Sequence, residues 1–134
     1  MKIIIDTNFL FSFFWNSNLI RKLILSEHEI YSPEFALEEL ESHKDEILEK
    51  TKLKKQEFEE FKRKLKKVVQ FIPFSYYEKS IPKVYKLLPE HPKDMDFLAL
   101  ALEINGVILS KDKKLKEQNK IKVFNEKELS DLLN

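Results

Sequence analysis

Several acidic residues in this 134-residue chain stand where one fold could gather them into a reaction centre. Asp6 ends the apolar run Ile3-Ile4-Ile5, and Asp112 closes Ser110-Lys111-Asp112 directly after Val107-Ile108-Leu109. Two further acidic pairs, Glu38 with Glu39 and Asp94 with Asp96, fall near the starts of helical patterns. Carboxylates crowded into one crevice repel one another, and a hard divalent cation such as Mg²⁺ or Mn²⁺ is the simplest relief. Such an ion polarises a phosphoryl oxygen and activates water for in-line attack on a phosphodiester. The chain has no cysteine, so any metal is held by oxygen or imidazole. His28, His43 and His91 lack the paired spacing of a zinc site and read as surface or helix-end residues.

The elements that must position these acids alternate between strand and helix patterns. Three successive β-branched residues read as a buried central strand, and its carboxyl end is where open α/β sheets bind ligands. Further strands are expected over residues 29–31, 69–72 (ended by Pro73), 107–109 and 121–124. Between them lie helical patterns: one through Leu19, Ile20, Leu23 and Ile24, and one that starts with Ser32 as cap and Pro33 at the first helical position. The latter runs through Ala36, Leu37 and Leu40 and continues or restarts toward Ile47 and Leu48. A charged helix over residues 50–67 carries Phe58, Phe61, Leu65 and Val68 on one face. Another covers 77–88, with Pro82 in its first turn or at a kink, and a regular helix over 94–105 is closed by Gly106. A short helical turn follows Asp112, and a terminal helix spans 126–133. This order predicts parallel strands, right-handed crossovers and a three-layer α/β/α sandwich with a parallel five-stranded sheet, one domain over residues 1–134.

Helical phase separates neighbouring acids. At about 100° per residue, Asp94 and Asp96 point roughly 200° apart. Asp94 shares the inward face of Phe97, Leu98 and Ala101, whereas Asp96 lies with Leu100 and Glu103, so Asp94 is the better ligand candidate. In the earlier helix the apolar centre near Ala36, Leu40 and Ile47 sends Glu38 toward solvent and leaves Glu39 within reach of a crevice. Taken singly, each acid is equally well explained as a cap, a turn residue or a surface charge. The case rests on Asp6, Glu39, Asp94 and Asp112 occupying coherent topological positions.

Asp6-Thr7-Asn8-Phe9-Leu10, Ser32-Pro33 through Glu39-Leu40, Lys93-Asp94-Met95-Asp96-Phe97-Leu98-Ala99-Leu100-Ala101-Leu102 and Gly106-Val107-Ile108-Leu109-Ser110-Lys111-Asp112 resemble the successive motifs of PIN-domain proteins. Each motif is weak alone; their ordered set, spanning essentially the whole chain, is specific. The resemblance implies a PIN-like fold and a Mg²⁺- or Mn²⁺-dependent ribonuclease, with Asp6, Glu39, Asp94 and Asp112 as catalytic, metal-binding acids. It also implies that Asn8 and Ser110 help to hold the first and last acids. PIN proteins are often toxins of toxin-antitoxin pairs, which implies an antitoxin partner. Many carry another acid two residues after the last one; here that position is Lys114.

A formal charge of +1 means that an RNA partner would need a local basic patch. Residues 50–67 hold nine lysines and arginines against three glutamates, which offers Lys62, Arg63 and Lys66 as backbone contacts, or simply a solvated face. Lys111 and Lys113 flank Asp112, nearer the proposed chemistry. The run Phe9-Leu10-Phe11-Ser12-Phe13-Phe14-Trp15 offers more apolar surface than a domain of this size should bury, so a homodimer or higher oligomer with Phe13, Phe14 or Trp15 between chains is expected. No signal-peptide pattern and no membrane-length apolar stretch are visible, which reads as cytoplasmic with no membrane partner. A haloacid-type phosphatase, which needs a second aspartate at Asn8, fits poorly. A non-catalytic PIN-like module binding RNA or protein is the alternative, and metal-dependent cleavage of single-stranded RNA discriminates it.

Overall fold

In the computed structural model, which describes residues 1–15 and 18–133, the isoleucine run lies at the centre of a five-stranded sheet. The strands are β1 (Lys2–Ile5), β2 (Glu29–Pro33), β3 (Val69–Ile72), β4 (Val107–Leu109) and β5 (Val123–Phe124), in the order β3-β2-β1-β4-β5. Every pairing is parallel. The register sets Ile3 against Ile30 and Val107, and Ile5 against Leu109. Because β1 adds β2 on one side and β4 on the other, connections leave the carboxyl ends of β1 and β4 in opposite directions. That is the arrangement that opens a crevice at a sheet edge.

Strand alternation divides the core into two layers. Ile3, Ile5, Ile30 and Leu109 face α1 (Thr7–Ser12), α2 (Asn18–Leu25), α3 (Glu34–Ser42), α4 (Lys44–Thr51), α5 (Lys55–Val68) and α9 (Glu126–Leu133). Ile4, Tyr31 and Ile108 face α6 (Phe74–Tyr77), α7 (Ile81–Tyr85) and α8 (Met95–Ile104). The result is the three-layer α/β/α sandwich expected from the alternating patterns. The side chains of Leu19, Ile20, Ile24 and Leu133, and with them most of the expected apolar stripe of α2, lie outside the described residues.

Local chemistry moves several element boundaries. Ser32 is not a helix cap: it is fully buried within β2, its hydroxyl donates to the Ile5 carbonyl at 2.8 Å, and Pro33 takes the cap position before Glu34. The charged helix does not run unbroken from residue 50, because Lys52 is left-handed at φ 61° and ends α4. Helix α5 then starts at Lys55, where the Lys54 N–H is met by Glu57 at 3.0 Å. The expected 77–88 helix is three short pieces, α6, a 3₁₀ turn at Glu78–Ser80 and α7, with Pro82 in the first turn of α7 where its missing N–H costs nothing. The fifth strand is confined to Val123–Phe124, and a 3₁₀ turn at Pro92–Asp94 precedes α8.

The end of α8 also differs from expectation. The left-handed residue is Asn105, at φ 57°, while Gly106 keeps a negative φ. Glycine is required at 106 for space: an added Cβ would lie 2.6 Å from Ile4 Cδ1 and 3.0 Å from the Lys2 carbonyl, both belonging to the central strand. Gly106→Ala is therefore expected to cost about 1–3 kcal/mol of stability, as at other overpacked sites, and so to lower the urea midpoint. Asn105→Gly should change it far less, since glycine adopts the left-handed region freely. Equal midpoints for Gly106→Ala and the wild type would refute the steric argument.

Candidate functional site

The crevice at the carboxyl edge of the sheet is built outward from Asp6. One residue beyond β1, it is only 7% exposed, and its carboxylate caps α1 by accepting the Phe9 N–H at 3.0 Å. The other carboxylate oxygen accepts from the Ser110 hydroxyl, delivered by the end of β4. The Ser110 oxygen in turn accepts the Asp112 N–H at 3.0 Å, so one buried serine holds the first acid and positions the last. Asp112 itself caps the following turn by accepting the Lys114 N–H at 2.9 Å. Glu39 arrives from α3, where the Thr7 hydroxyl donates to it at 3.2 Å. Asp94 arrives at the end of the 3₁₀ turn that leads into α8.

These four acids and a fifth, Glu90, line one open crevice of about 620 Å³ together with Thr7, Asn8, His43, His91, Lys93 and Lys114. A second crevice of about 570 Å³ adjoins it, sharing Glu39 and Lys93, and is lined by Glu34, Phe35, Glu38, Phe74, Tyr77 and Asp96. Asp94 and Asp96 thus face different spaces. Asp96 accepts the Tyr77 hydroxyl at 2.5 Å, and burial, followed by that bond, raises the phenol's proton affinity.

The electrostatics follow from burial. Desolvation lifts the Asp6 pKa above the usual aspartate value; Ser110 and the Phe9 N–H pull it down, and the nearby charges of Asp94 and Asp112 push it up again. Asp94 is raised too, first by desolvation and then by Asp112, against lowering by His91 and Lys114. All-oxygen donors carrying mutually repelling charge suit a hard divalent cation. Among the described residues no three acid or histidine side chains are drawn close enough to hold an ion between them. A bound ion would complete its shell with water or with a rotamer change.

Not every expected residue reaches the crevice in the expected role. Asn8 lines it but is exposed, and the groups that hold Asp6 are Ser110 and the Phe9 N–H. His43 and His91, read from the sequence as surface or helix-end residues, also line the crevice, and Thr7 was given no role; Thr7 sits beside Asp6, but only the packing of α1 on α3 brings it to Glu39. Lys111, Lys113, Lys62, Arg63 and Lys66 do not line the crevice, where the lysines are Lys93 and Lys114. Lys111 lies over the Phe9 ring at 5.4 Å. Lys62 is engaged by Glu41 at 2.7 Å and Glu59 at 3.5 Å, because α5 packs beside α3 and α4. The aromatic run is largely consumed within the chain: Phe9, Leu10 and Phe14 are buried, and Phe14 stacks on Phe58 at 5.1 Å. Only Trp15 of that run is exposed, at 43%.

A family model of the PIN domain matches residues 4–130. No curated protein matches the chain. Among solved structures, a chain in the crystal structure of VapBC2 from Rickettsia felis bound to a DNA fragment from their promoter is similar, with 15% identity and a TM-score of 0.63. The match covers 93% of this chain and 98% of that one, and at such identity it is a likeness of fold.

Raised aspartates bind protons more tightly in the folded chain than in the unfolded chain. Between the ordinary aspartate value and the raised folded values, the unfolded state holds fewer protons, so stability of the metal-free protein falls as pH rises through that window. Above it the cost is fully present. Asp6→Asn should therefore raise the metal-free melting temperature at neutral pH and flatten its pH dependence. Mn²⁺ should raise that of the wild type, adding about 2.7 kcal/mol of stability at a hundred times its dissociation constant, and raise the variant less. Scanning calorimetry that finds no response to saturating metal and no gain from Asp6→Asn would show that these acids do not form one site.

Proposed function

Because the chain belongs to the PIN domain family, we propose that residues 1–134 form a single domain acting as a Mg²⁺- or Mn²⁺-dependent endoribonuclease, the toxin of a toxin-antitoxin pair. The observation that carries this reading is the delivery of Asp6, Glu39, Asp94 and Asp112 by four separate segments to one crevice beside the β1–β4 junction. When bound there, the cation supplies Lewis acidity toward a phosphoryl oxygen and makes water a better nucleophile. The protein's part is positioning. Ser110 and the Phe9 N–H hold Asp6 against rotation, Thr7 orients Glu39, and the Lys114 N–H fixes Asp112. Lys93 and Lys114 offset the charge of an entering phosphate in an otherwise acidic crevice.

The partners follow the same reading: RNA as substrate, an antitoxin protein, and a second copy of the chain in a homodimer or higher oligomer with Trp15 at the contact. A protein partner is supported by the VapBC2 assembly that contains the similar chain. The cytoplasm is the proposed location; among the described residues no helix is long and apolar enough to cross a membrane. A non-catalytic module binding RNA or protein is the second reading, favoured by Lys114 within the crevice.

Incubating pure protein with single-stranded RNA and sequencing the cut ends separates the two. Cleavage is expected with Mg²⁺ or Mn²⁺ and is expected to stop with EDTA; full cleavage in excess chelator rules out the metal mechanism. Asp94→Asn should lose about a hundredfold or more, while Asp96→Asn, which faces the other crevice, keeps most activity. Likewise Glu39→Gln should be worse than Glu38→Gln. The reverse order in either pair would place the reacting centre in the neighbouring crevice.

A further inference from the structure

The second crevice, beside the acids, has a lining that phosphodiester hydrolysis by itself does not call for. Two aromatic rings line it, and each is fixed by a ring packed against it: Phe35 by Phe97 with centroids 5.5 Å apart, and Phe74 by Tyr77 at 5.5 Å and 73°. Phe74 is nonetheless 46% exposed, so a flat apolar surface is held toward solvent at the crevice wall. Asp96 is pinned in the same wall. One carboxylate oxygen accepts from the buried Tyr77 hydroxyl at 2.5 Å, and the other has no hydrogen-bond partner among the described residues. Glu34 and Glu38 add further acceptors. The volume of about 570 Å³ falls within the roughly 300–1,000 Å³ of small-ligand sites. Because Glu39 and Lys93 belong to both crevices, a group held in the second lies next to a phosphate held in the first.

Resting on the ribonuclease reading above, we propose that the second crevice receives the base of a nucleotide adjoining the scissile phosphate, and that it selects guanine. A neutral base carries no charge for the carboxylates to repel, and its flat face suits the exposed Phe74 ring. The edge of the base then decides which one fits. Guanine presents N1–H and the N2 amino group side by side, two donors for carboxylate oxygens. Adenine and cytosine offer one amino group each beside an acceptor. Uracil's single N–H lies between two carbonyl oxygens, which the carboxylates disfavour. Asp96 is the specificity residue because Tyr77 leaves it a fixed free acceptor, and Phe74 is the stacking platform.

The test reads cuts and binding separately. Given Mg²⁺ and a random single-stranded RNA pool, the wild type should leave guanine at one fixed position beside the broken bond, about tenfold more often than uracil. Asp96→Asn keeps the Tyr77 bond through its amide oxygen and turns an NH₂ toward the crevice, so its cuts should shift from guanine toward uracil. A merely structural residue would lower cleavage at every sequence alike. Binding is measured by fluorescence anisotropy on the poorly cleaving Asp94→Asn protein, with a heptauridine and with the same strand carrying one guanine. The guanine strand should bind about tenfold more tightly. Adding Phe74→Ala should remove about that factor, and Phe74→Tyr, which restores a ring, should recover it. Phe74 is exposed, and circular dichroism should show these variants folded. Cuts without base preference, or equal binding of the two strands, overturn the proposal and leave metal-dependent cleavage standing. Phe74→Ala that matches its parent in both assays also overturns it and leaves the crevice to a protein partner. Guanine-dependent binding by a chain that cleaves no RNA with metal supports the base site and overturns the ribonuclease reading alone.

Discussion

Burying a carboxylate at the end of the central strand imposes a cost that the surrounding structure must offset, and much of this protein's organisation follows from how Asp6 meets it. Unpaired buried charge is strongly disfavoured, and a carboxylate relieves that by accepting hydrogen bonds. Two donors come from different distances along the chain. The Phe9 N–H is local and exists because α1 begins at Thr7; the Ser110 hydroxyl is remote and exists because β4 pairs with β1 in the register that sets Leu109 against Ile5. The same register brings Asp112 to the crevice, since Ser110 also accepts its N–H. The geometry of the acidic crevice and the strand pairing are thus one constraint.

That offset is incomplete, and the remainder is informative. Asp6 stays above the usual aspartate value despite its two donors, and Asp94, which has no donor, does so despite His91 and Lys114. A site that hydrogen bonds had fully satisfied would have little affinity left for a cation, whereas one with residual repulsion gains stability when an ion binds. Lys93 and Lys114 line the crevice, and among the described residues neither is in an ion pair. Elsewhere five lysines, Lys44, Lys50, Lys62, Lys79 and Lys116, pair directly with carboxylates.

The two layers divide the labour. Helices α1 to α5 and α9 cover one face of the sheet with the aromatic cluster of Phe9, Phe14 and Phe58, and this anchors α1 beneath Asp6. On the other face, α8 is buried along nearly its whole length, which holds Asp94 at its amino end toward one crevice and Asp96 toward the next. Rigid packing on both sides lets a crevice open to solvent keep its acids in place.

What the amino-acid order determined by itself was the set of periodicities. Consecutive β-branched residues specify the central strand, and the 3.6-residue repeat around Phe97, Leu98 and Ala101 specifies which way Asp94 points relative to Asp96; both are local properties of short segments. The alternation of strand and helix was enough for a parallel five-stranded sandwich. Only the tertiary structure decided how charges and caps are used. Ser32 has the composition of a cap, but its burial against Ile5 makes it a link between strands; Gly106 looks like a left-handed stop, but its lack of a side chain serves Ile4 and the Lys2 carbonyl. Thr7 reaches Glu39, Ser110 reaches Asp6, and Lys62 is drawn away to Glu41, all across 21 residues of chain or more. Such contacts depend on how whole elements dock, and no local repeat encodes that.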